Sequence, residues 1–249
     1  MEMKSVTRSL RVLEAVARHQ PVTVGELTKI FGLPKSTVQR TLVTLNEAGW
    51  LRANREDTTR WEVGARVLAV RPAALQGSSL FAAAREPMIR LRDALNETIH
   101  LSVPDALQGM VVVDRVDCDQ AVRTFHAIGD TSPLHATAAG NAVLAHLAKS
   151  EIEEVAAGTL EGYGEETITD PGQLRAELSR VRERGYAVNH NQYLQGVCAI
   201  AAPVLDEDGT PLAAVAVSLP DSRFEPDDLP ELGRLVAETA TEITARHLA

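Results

Sequence analysis

A chain of 249 residues, 45% apolar and 24% charged, is long enough for one large or two ordinary domains, each with a core of its own. Its formal net charge of −9 excludes a surface that is cationic throughout, and two cysteines eighty positions apart, Cys118 and Cys198, make neither a disulfide framework nor a paired metal motif. With no run of 18 apolar residues and no charged-then-apolar start, neither a membrane span nor a secretion signal is expected, and a reducing cytoplasmic location follows as the expectation.

The first element is an amphipathic helix whose apolar residues Val6, Leu10, Leu13 and Ala17 fall on one stripe. Two short helices follow. Thr23 and Glu26 stand at capping-box spacing, Gly32 suits the left-handed residue that closes a helix, and Pro34 suits the first turn of the next one. In that next helix Val38, Leu42 and Leu45 form the packing stripe, leaving Lys35, Ser36, Thr37, Gln39 and Arg40 free in its first turns. Hydroxyls, an amide and two cations at a helix N-terminal end are what a DNA-recognition helix presents to bases and phosphates. The alternative for such a face is a solvated surface on a small core helix.

Trp50-Leu51-Arg52 and Arg60-Trp61-Glu62-Val63 flank a polar turn from Asn54 to Thr59, the pattern of a hairpin, with Arg55 and Arg60 at or near its tip. Three helices and a wing give a winged helix-turn-helix over 1–64. Charge divides the chain at the same place. Residues 1–64 hold 10 Lys or Arg against 7 Asp or Glu, a net of +3, while the remainder holds 15 against 27, a net of −12. Phosphate neutralisation underlies nonspecific DNA affinity, so the head is expected to bind and the acidic body to stand off. So modest a local charge also calls for two or more heads acting together.

Residues 65–80 are alanine-rich and helix-prone but interrupted by Pro72 and Gly77, and read as a kinked linker helix able to absorb domain motion. From Leu80 a longer helix follows, in which Pro87 blurs the N-terminal boundary. Beyond it, Ile99–Val103, Met110–Val116 and Ala121–His126 are β-prone, and Ala136–Leu147 and Ile152–Ala157 read as helices. Asp170-Pro171 opens a helix that Gly185 closes. Tyr186–Val188 and Val197–Val204 then read as strands, the turn Asp206-Glu207-Asp208-Gly209 leads to a strand over Leu212–Leu219, and Leu229, Leu232, Val236, Ala240 and Ile243 keep helical spacing to the end. These features give an α+β class without choosing a topology.

Five segments in order, Arg8-Ser9-Leu10-Arg11-Val12-Leu13, Leu33-Pro34-Lys35-Ser36-Thr37-Val38, Leu134-His135-Ala136-Thr137-Ala138-Ala139-Gly140, Arg182-Glu183-Arg184-Gly185-Tyr186-Ala187 and Ala201-Ala202-Pro203-Val204, resemble the IclR family of bacterial transcription regulators over essentially the whole chain. The resemblance implies an N-terminal winged helix-turn-helix, a linker helix over 65–80, and a GAF-like domain over 81–249 that binds a small effector, usually an organic acid, and takes part in oligomerisation. Candidate DNA contacts are Arg8, Thr23, Lys35, Ser36, Thr37, Gln39, Arg40, Arg55, Thr59 and Arg60. The candidate effector set is Thr124, His126, Ala138, Ala139, Gly140, Asn189, Val197, Ala199, Ala216 and Ser218.

Small residues at 138–140 let a ligand approach exposed N–H groups at the start of a helix, which suits a carboxylate; the alternative for these alanines is close helix–sheet packing. Of Arg123 and Thr124, alternation along a strand gives only one to the cavity, and the resemblance favours Thr124. Asn189-His190 departs from the acidic residues of many relatives and Asn141 from a common lysine, while Cys198 precedes the position where some carry cysteine, so effector identity does not transfer. An aromatic carboxylate such as a hydroxybenzoate is the leaning.

The partners expected are a pseudo-palindromic double-stranded operator, an organic acid, and further copies of the chain in a homodimer or homotetramer, without a membrane. No cofactor, metal or catalytic residue is expected. The histidines lack a short metal spacing, no Gly-rich phosphate loop follows a strand, and Cys198 with His190 lacks an oxyanion or orienting group. The alternatives are a constitutive DNA binder whose C-terminal domain only oligomerises, marked by a filled sheet face, and an enzyme with a DNA-binding head, marked by a convergent polar cluster.

Overall fold

Glu26 N–H donates to Thr23 Oγ1 at 3.3 Å while Glu26 Oε2 accepts from Thr23 N–H at 2.7 Å, so the capping box closes as the sequence requires. It opens helix α2 (Val24–Phe31) in a computed structural model that describes residues 4–54, 58–67, 79–105 and 109–249 and divides into two units, Met1–Ser78 and Ser79–Ala249. In the first unit, α1 (Lys4–His19) leads to a short strand β1 (Val22–Thr23), then α2, then α3 (Lys35–Glu47), and strands β2 (Leu51–Asn54) and β3 (Arg60–Val63) complete it. Gly32 takes the left-handed conformation at φ 61°, and its N–H donates to Thr28 O at 3.0 Å. Pro34 stands just before α3 rather than inside its first turn.

Val38, Leu42 and Leu45 are buried as their spacing predicts. Of the stripe expected on α1, only Leu13 packs against the core. Val12, Ala15 and Val16 face the core beside Leu27, Leu51 and Trp61, whereas Val6 and Leu10 are 48% and 53% exposed and Ala17 is exposed too. Apolar residues wrap more than half of this helix, so two frames satisfy its periodicity and packing against α2, α3 and the wing selects one. The wing has a third strand: β1 pairs with β3, Val22 opposite Trp61, in the order β1-β3-β2. Arg55 at the wing tip, and Pro72 and Gly77 with most of the expected linker helix, lie outside the described residues.

The second unit holds helix α4 (Ser79–Leu95), strands β4 (Thr98–Asp105), β5 (Gly109–Val116) and β6 (Thr131–Ser132), helices α5 (Ala138–Leu144), α6 (Lys149–Ala157) and α7 (Pro171–Arg184), strands β7 (Ala187–His190), β8 (Val197–Leu205) and β9 (Pro211–Pro220), and helix α8 (Leu229–Leu248). The six strands form one antiparallel sheet in the order β6-β5-β4-β9-β8-β7. Ile99, Leu101, Ile200, Ala202, Val215 and Val217 turn to the face covered by α4 and α8, packing on Met88, Leu91, Val236 and Ile243. Ala201, Ala214 and Ala216 turn to the opposite face, under α5 and α7. Both faces are covered, and the fold is α+β as expected.

Local signals are realised where they are strongest. Asp170 caps α7 by accepting from Gln173 N–H at 2.8 Å, Gly185 ends it at φ 83°, and Asp206 N–H donates to Thr210 O at 2.8 Å across the β8–β9 turn. The strand expected over Ala121–His126 is instead irregular chain, with Val122, Phe125 and Ile128 exposed. A β-prone composition cannot make a strand without a partner edge, and the edge of β5 is taken by Thr131–Ser132. The helix expected over Ala136–Leu147 spans only Ala138–Leu144, because Thr137 is its cap and accepts from Gly140 N–H at 3.1 Å. Among the described residues no helix is long and apolar enough to cross a membrane.

Candidate functional site

On α3, Lys35, Ser36, Gln39 and Arg40 are exposed and Thr37 is half-buried, because the other side of the helix is committed to Val38, Leu42 and Leu45. Their donors are available to a ligand. Arg8 on α1 lines a groove with Lys4, Arg11 and Phe31, adding two cations that the sequence pattern does not single out. Thr59 is exposed on the wing. Two candidate DNA contacts are turned to the fold itself. Thr23 Oγ1 is held by the capping box, donating to Glu26 Oε2 at 2.7 Å, and Arg60 Nη1 donates to Pro21 O at 3.0 Å, tying the wing to the segment before α2.

In the second unit a cavity of about 620 Å³, including its mouth, opens between the sheet and the start of α5. The sheet supplies His100 and Ser102 from β4, Val112 from β5, Asn189 from β7, Val197 and Ala199 from β8, and Ala216 and Ser218 from β9. Thr137, Ala138 and Ala139 close it from the helix side, and His126, Asp130, Tyr193 and Leu194 from the loops. The alanines on β8 and β9 leave the floor low enough for space to remain beneath the helix.

Of the candidate effector residues, His126, Ala138, Ala139, Asn189, Val197, Ala199, Ala216 and Ser218 line this cavity. Thr124 and Gly140 do not. Thr124 lies on the irregular segment and spends its hydroxyl on Ser218 O at 2.9 Å, while Gly140 packs against the Leu134 backbone so closely that a Cβ would meet Leu134 O at 2.2 Å. Asn189 has a structural engagement as well, donating from Nδ2 to Ala136 O just before α5. The lining residues His100, Ser102, Val112, Asp130, Thr131, Ser132, Thr137, Tyr193 and Leu194 are not among those expected from the sequence. A signal for two of them exists, since Ile99-His100-Leu101-Ser102 alternates apolar and polar in a strand.

Among the described residues, no Lys or Arg lines the cavity. Arg123, a candidate cation for the site, is exposed and donates to Gln120 O at 3.3 Å. His100 is buried, and that burial, with His126 and Arg115 nearby, pushes its imidazole down to about 3. His126 is lowered too, chiefly by burial, with Asp130 opposing and Arg115 reinforcing the shift. The rings sit edge to face at 5.4 Å between centroids, and Arg115 Nη1 donates to His126 O at 2.5 Å. Two polar atoms of residues on the cavity floor, His100 Nε2 and Ser218 Oγ, are buried without a hydrogen-bond partner among the described residues.

The thiol nucleophile weighed for Cys198 fails on its acidity. Burial, with Asp221 adding, pushes it up to about 12, which keeps it protonated at neutral pH. His190 stands opposite Cys198 in the β7–β8 register, but its Nε2 pairs with Asp221 Oδ1. Among the described residues, no three His, Cys, Asp or Glu side chains come together as a metal site.

Comparison with known proteins agrees with both halves of this description. Residues 5–55 match the IclR helix-turn-helix domain and residues 72–245 match the bacterial transcriptional regulator IclR C-terminal domain. The transcriptional repressor IclR of Escherichia coli strain K12 is 32% identical over 246 residues, covering 98% of this chain and 89% of that protein. The crystal structure of an IclR transcriptional regulator from Alicyclobacillus acidocaldarius superposes with a TM-score of 0.85 at 23% identity, over 99% of this chain and 100% of that one. That of an IclR homolog from Microbacterium hydrocarbonoxydans, complexed with 4-hydroxybenzoate, gives 0.80 at 25% identity, over 97% and 98%. The helix-turn-helix head and the six-stranded unit are thus matched by family models in the right order, and the chain belongs to the IclR family of bacterial transcriptional regulators.

Proposed function

We propose that this regulator binds a pseudo-palindromic double-stranded operator through α3 and its wing, and that a small organic acid held in the cavity of the second unit controls that binding. In this reading residues 1–64 are the DNA-binding domain, 65–80 the connection, and 81–249 the effector-binding and oligomerisation domain. Lys35, Ser36, Gln39 and Arg40 contact the operator, and paired heads of a homodimer or homotetramer engage half-sites roughly 10 base pairs apart.

The observation that carries effector control is the cavity itself, lined by small apolar side chains together with hydroxyls and two imidazoles between α5 and the sheet. A domain that served only to oligomerise has no need of such a space. The acid end of the ligand belongs at Ala138 and Ala139, whose N–H groups, in the first turn of α5, have no intrahelical acceptor and whose residues line the cavity. The Microbacterium relative, complexed with 4-hydroxybenzoate, lends support to an aromatic carboxylate.

Effector action is then a population shift, set by the differential affinity of the ligand for the DNA-competent and DNA-incompetent states. Titration of the protein on its own upstream DNA at fixed salt, with and without aliphatic and aromatic acids, tests the reading. Specific binding altered by one acid class supports it. Specific binding indifferent to every acid sinks effector control by acids, and absence of specific binding sinks the operator assignment.

A further inference from the structure

Lys4, Arg8 and Arg11 stand at spacings of four and three on α1, so all three fall on one face of the helix, and with Thr7, Phe31 and Leu33 they line one groove of the first unit. No carboxylate lines that groove, and none of the three cations makes an ion pair or a side-chain hydrogen bond among the described residues. In the second unit, by contrast, Arg90, Arg175, Arg223 and Arg246 each reach a carboxylate. The wing is engaged as well. Arg52 pairs with Glu62 across β2 and β3 at 2.5 Å, and Arg60 donates to Pro21 O at 3.0 Å.

We infer that this groove is a seat for the DNA backbone, and that the sequence-independent grip of the head comes from α1 rather than from the described strands of the wing. This rests on the operator reading above and deepens it. Position decides the occupant. Leu33 lies two residues ahead of Lys35, the first residue of α3, so the groove flanks the end of α3 that carries the exposed donors, and a duplex seated on those donors has a phosphate strand alongside. Three unpaired cations attract phosphate, and the apolar walls of Phe31 and Leu33 concentrate their field instead of screening it. At 1.5 Å per residue, Lys4 and Arg11 are about 10 Å apart along the helix axis, which suits neighbouring phosphates of one strand rather than a single small anion. Thr7 adds a hydroxyl that can donate to a phosphate oxygen. Contacts of this kind carry no sequence information; they position α3 without choosing its bases.

The test is the salt dependence of DNA binding by the full chain, measured by fluorescence anisotropy on its own upstream DNA and on a scrambled duplex of equal length. Lys4→Gln and Arg11→Gln are each expected to lower the slope of log K against log salt by about 0.9, and the double variant by about twice that, on both duplexes alike. By the same relation, affinity at roughly 0.1 M salt falls about eightfold per cation. Both side chains are exposed, so Tm is expected to stay unchanged; a lowered Tm would make them structural and overturn the inference. Lys149→Gln, the same loss of charge at an exposed position of α6, leaves the slope where it was, and Arg52→Gln moves it less than either α1 variant does. Unchanged slopes for Lys4→Gln and Arg11→Gln overturn the inference. So does an equal change from Lys149→Gln, which makes the effect one of overall charge, or a larger change from Arg52→Gln, which returns the grip to the wing. Loss on the upstream DNA alone assigns these residues to bases and overturns it too. A parent chain without preference for its upstream DNA sinks the operator reading, while the slopes on the scrambled duplex still decide the groove; a parent that binds neither duplex sinks both.

Discussion

Thr124 Oγ1 donates to the carbonyl oxygen of Ser218 at 2.9 Å, joining an irregular surface segment to the strand whose serine side chain lines the cavity. The bond is buried, and the exposed neighbours Val122 and Phe125 leave that segment with little apolar anchorage of its own. Arg115 adds a second clasp, its guanidinium lying 4.1 Å from the Phe125 ring centre.

Thr124→Val keeps the shape and removes the donor. It is expected to lower stability by about 1–3 kcal/mol, the range for stranding a buried partner. Chemical denaturation followed by far-UV circular dichroism measures it, and a difference within error of zero would mean that the contacts of Arg115 with Phe125 and of Arg223 with Val122 O hold the segment without it.

Gly140→Ala is expected to cost more than a helical glycine normally does. A Cβ there would lie 2.2 Å from Leu134 O and 2.5 Å from Leu134 Cα, backbone atoms with no soft end to swing aside. Overpacking of this kind costs about 1–3 kcal/mol or more, and α5 and the Leu134 segment must move apart to relieve it. Thermal melting reads the loss; an unchanged Tm would refute the tight approach.

Arg40→Ala should weaken operator binding by roughly 1–3 kcal/mol while scarcely changing nonspecific binding, if the guanidinium bonds a base edge. Gel-shift titration on operator and scrambled DNA at one salt concentration separates the cases. Equal loss on both would assign Arg40 to a phosphate instead.

Acid should destabilise the second unit. In the unfolded chain an imidazole takes up its proton near 6.5, but folded His100 does so only at about 3, because burial disfavours the cation. Between those values the unfolded state binds more protons, so this contribution to stability is fully present above 6.5 and declines as pH falls through the window. The slope from one such group is at most about 1.4 kcal/mol per pH unit. Comparing melts at about pH 7.5 and about pH 5.5, His100→Phe is expected to lose less stability than the parent chain. Parallel slopes would show that His100 is not the group responsible.

What the sequence determined by itself is everything written at short range. Thr23 and Glu26, Gly32, Asp170 and Gly185, and the Asp206–Gly209 turn each act through bonds to residues a few positions away, so the helix ends and the β8–β9 hairpin are legible in the order of residues alone. The α3 face is legible for the same reason, since one helical period separates Val38, Leu42 and Leu45 from the donors. Small residues at the start of α5 and on β8 and β9 stand out only through the family resemblance, which carries packing information that a single sequence lacks.

Tertiary structure alone decided the rest. Which side of α1 is buried, and whether 121–126 forms a strand, depend on partners tens of residues away that periodicity does not specify. Thr124 and Gly140 are near the cavity yet serve its walls, a distinction of a few ångströms that only packing makes. His100 shows the limit most plainly. In a sheet covered on both faces, alternation separates two buried sides rather than core from solvent, so a polar residue between Ile99 and Leu101 reads as structural until the fold places a cavity over it.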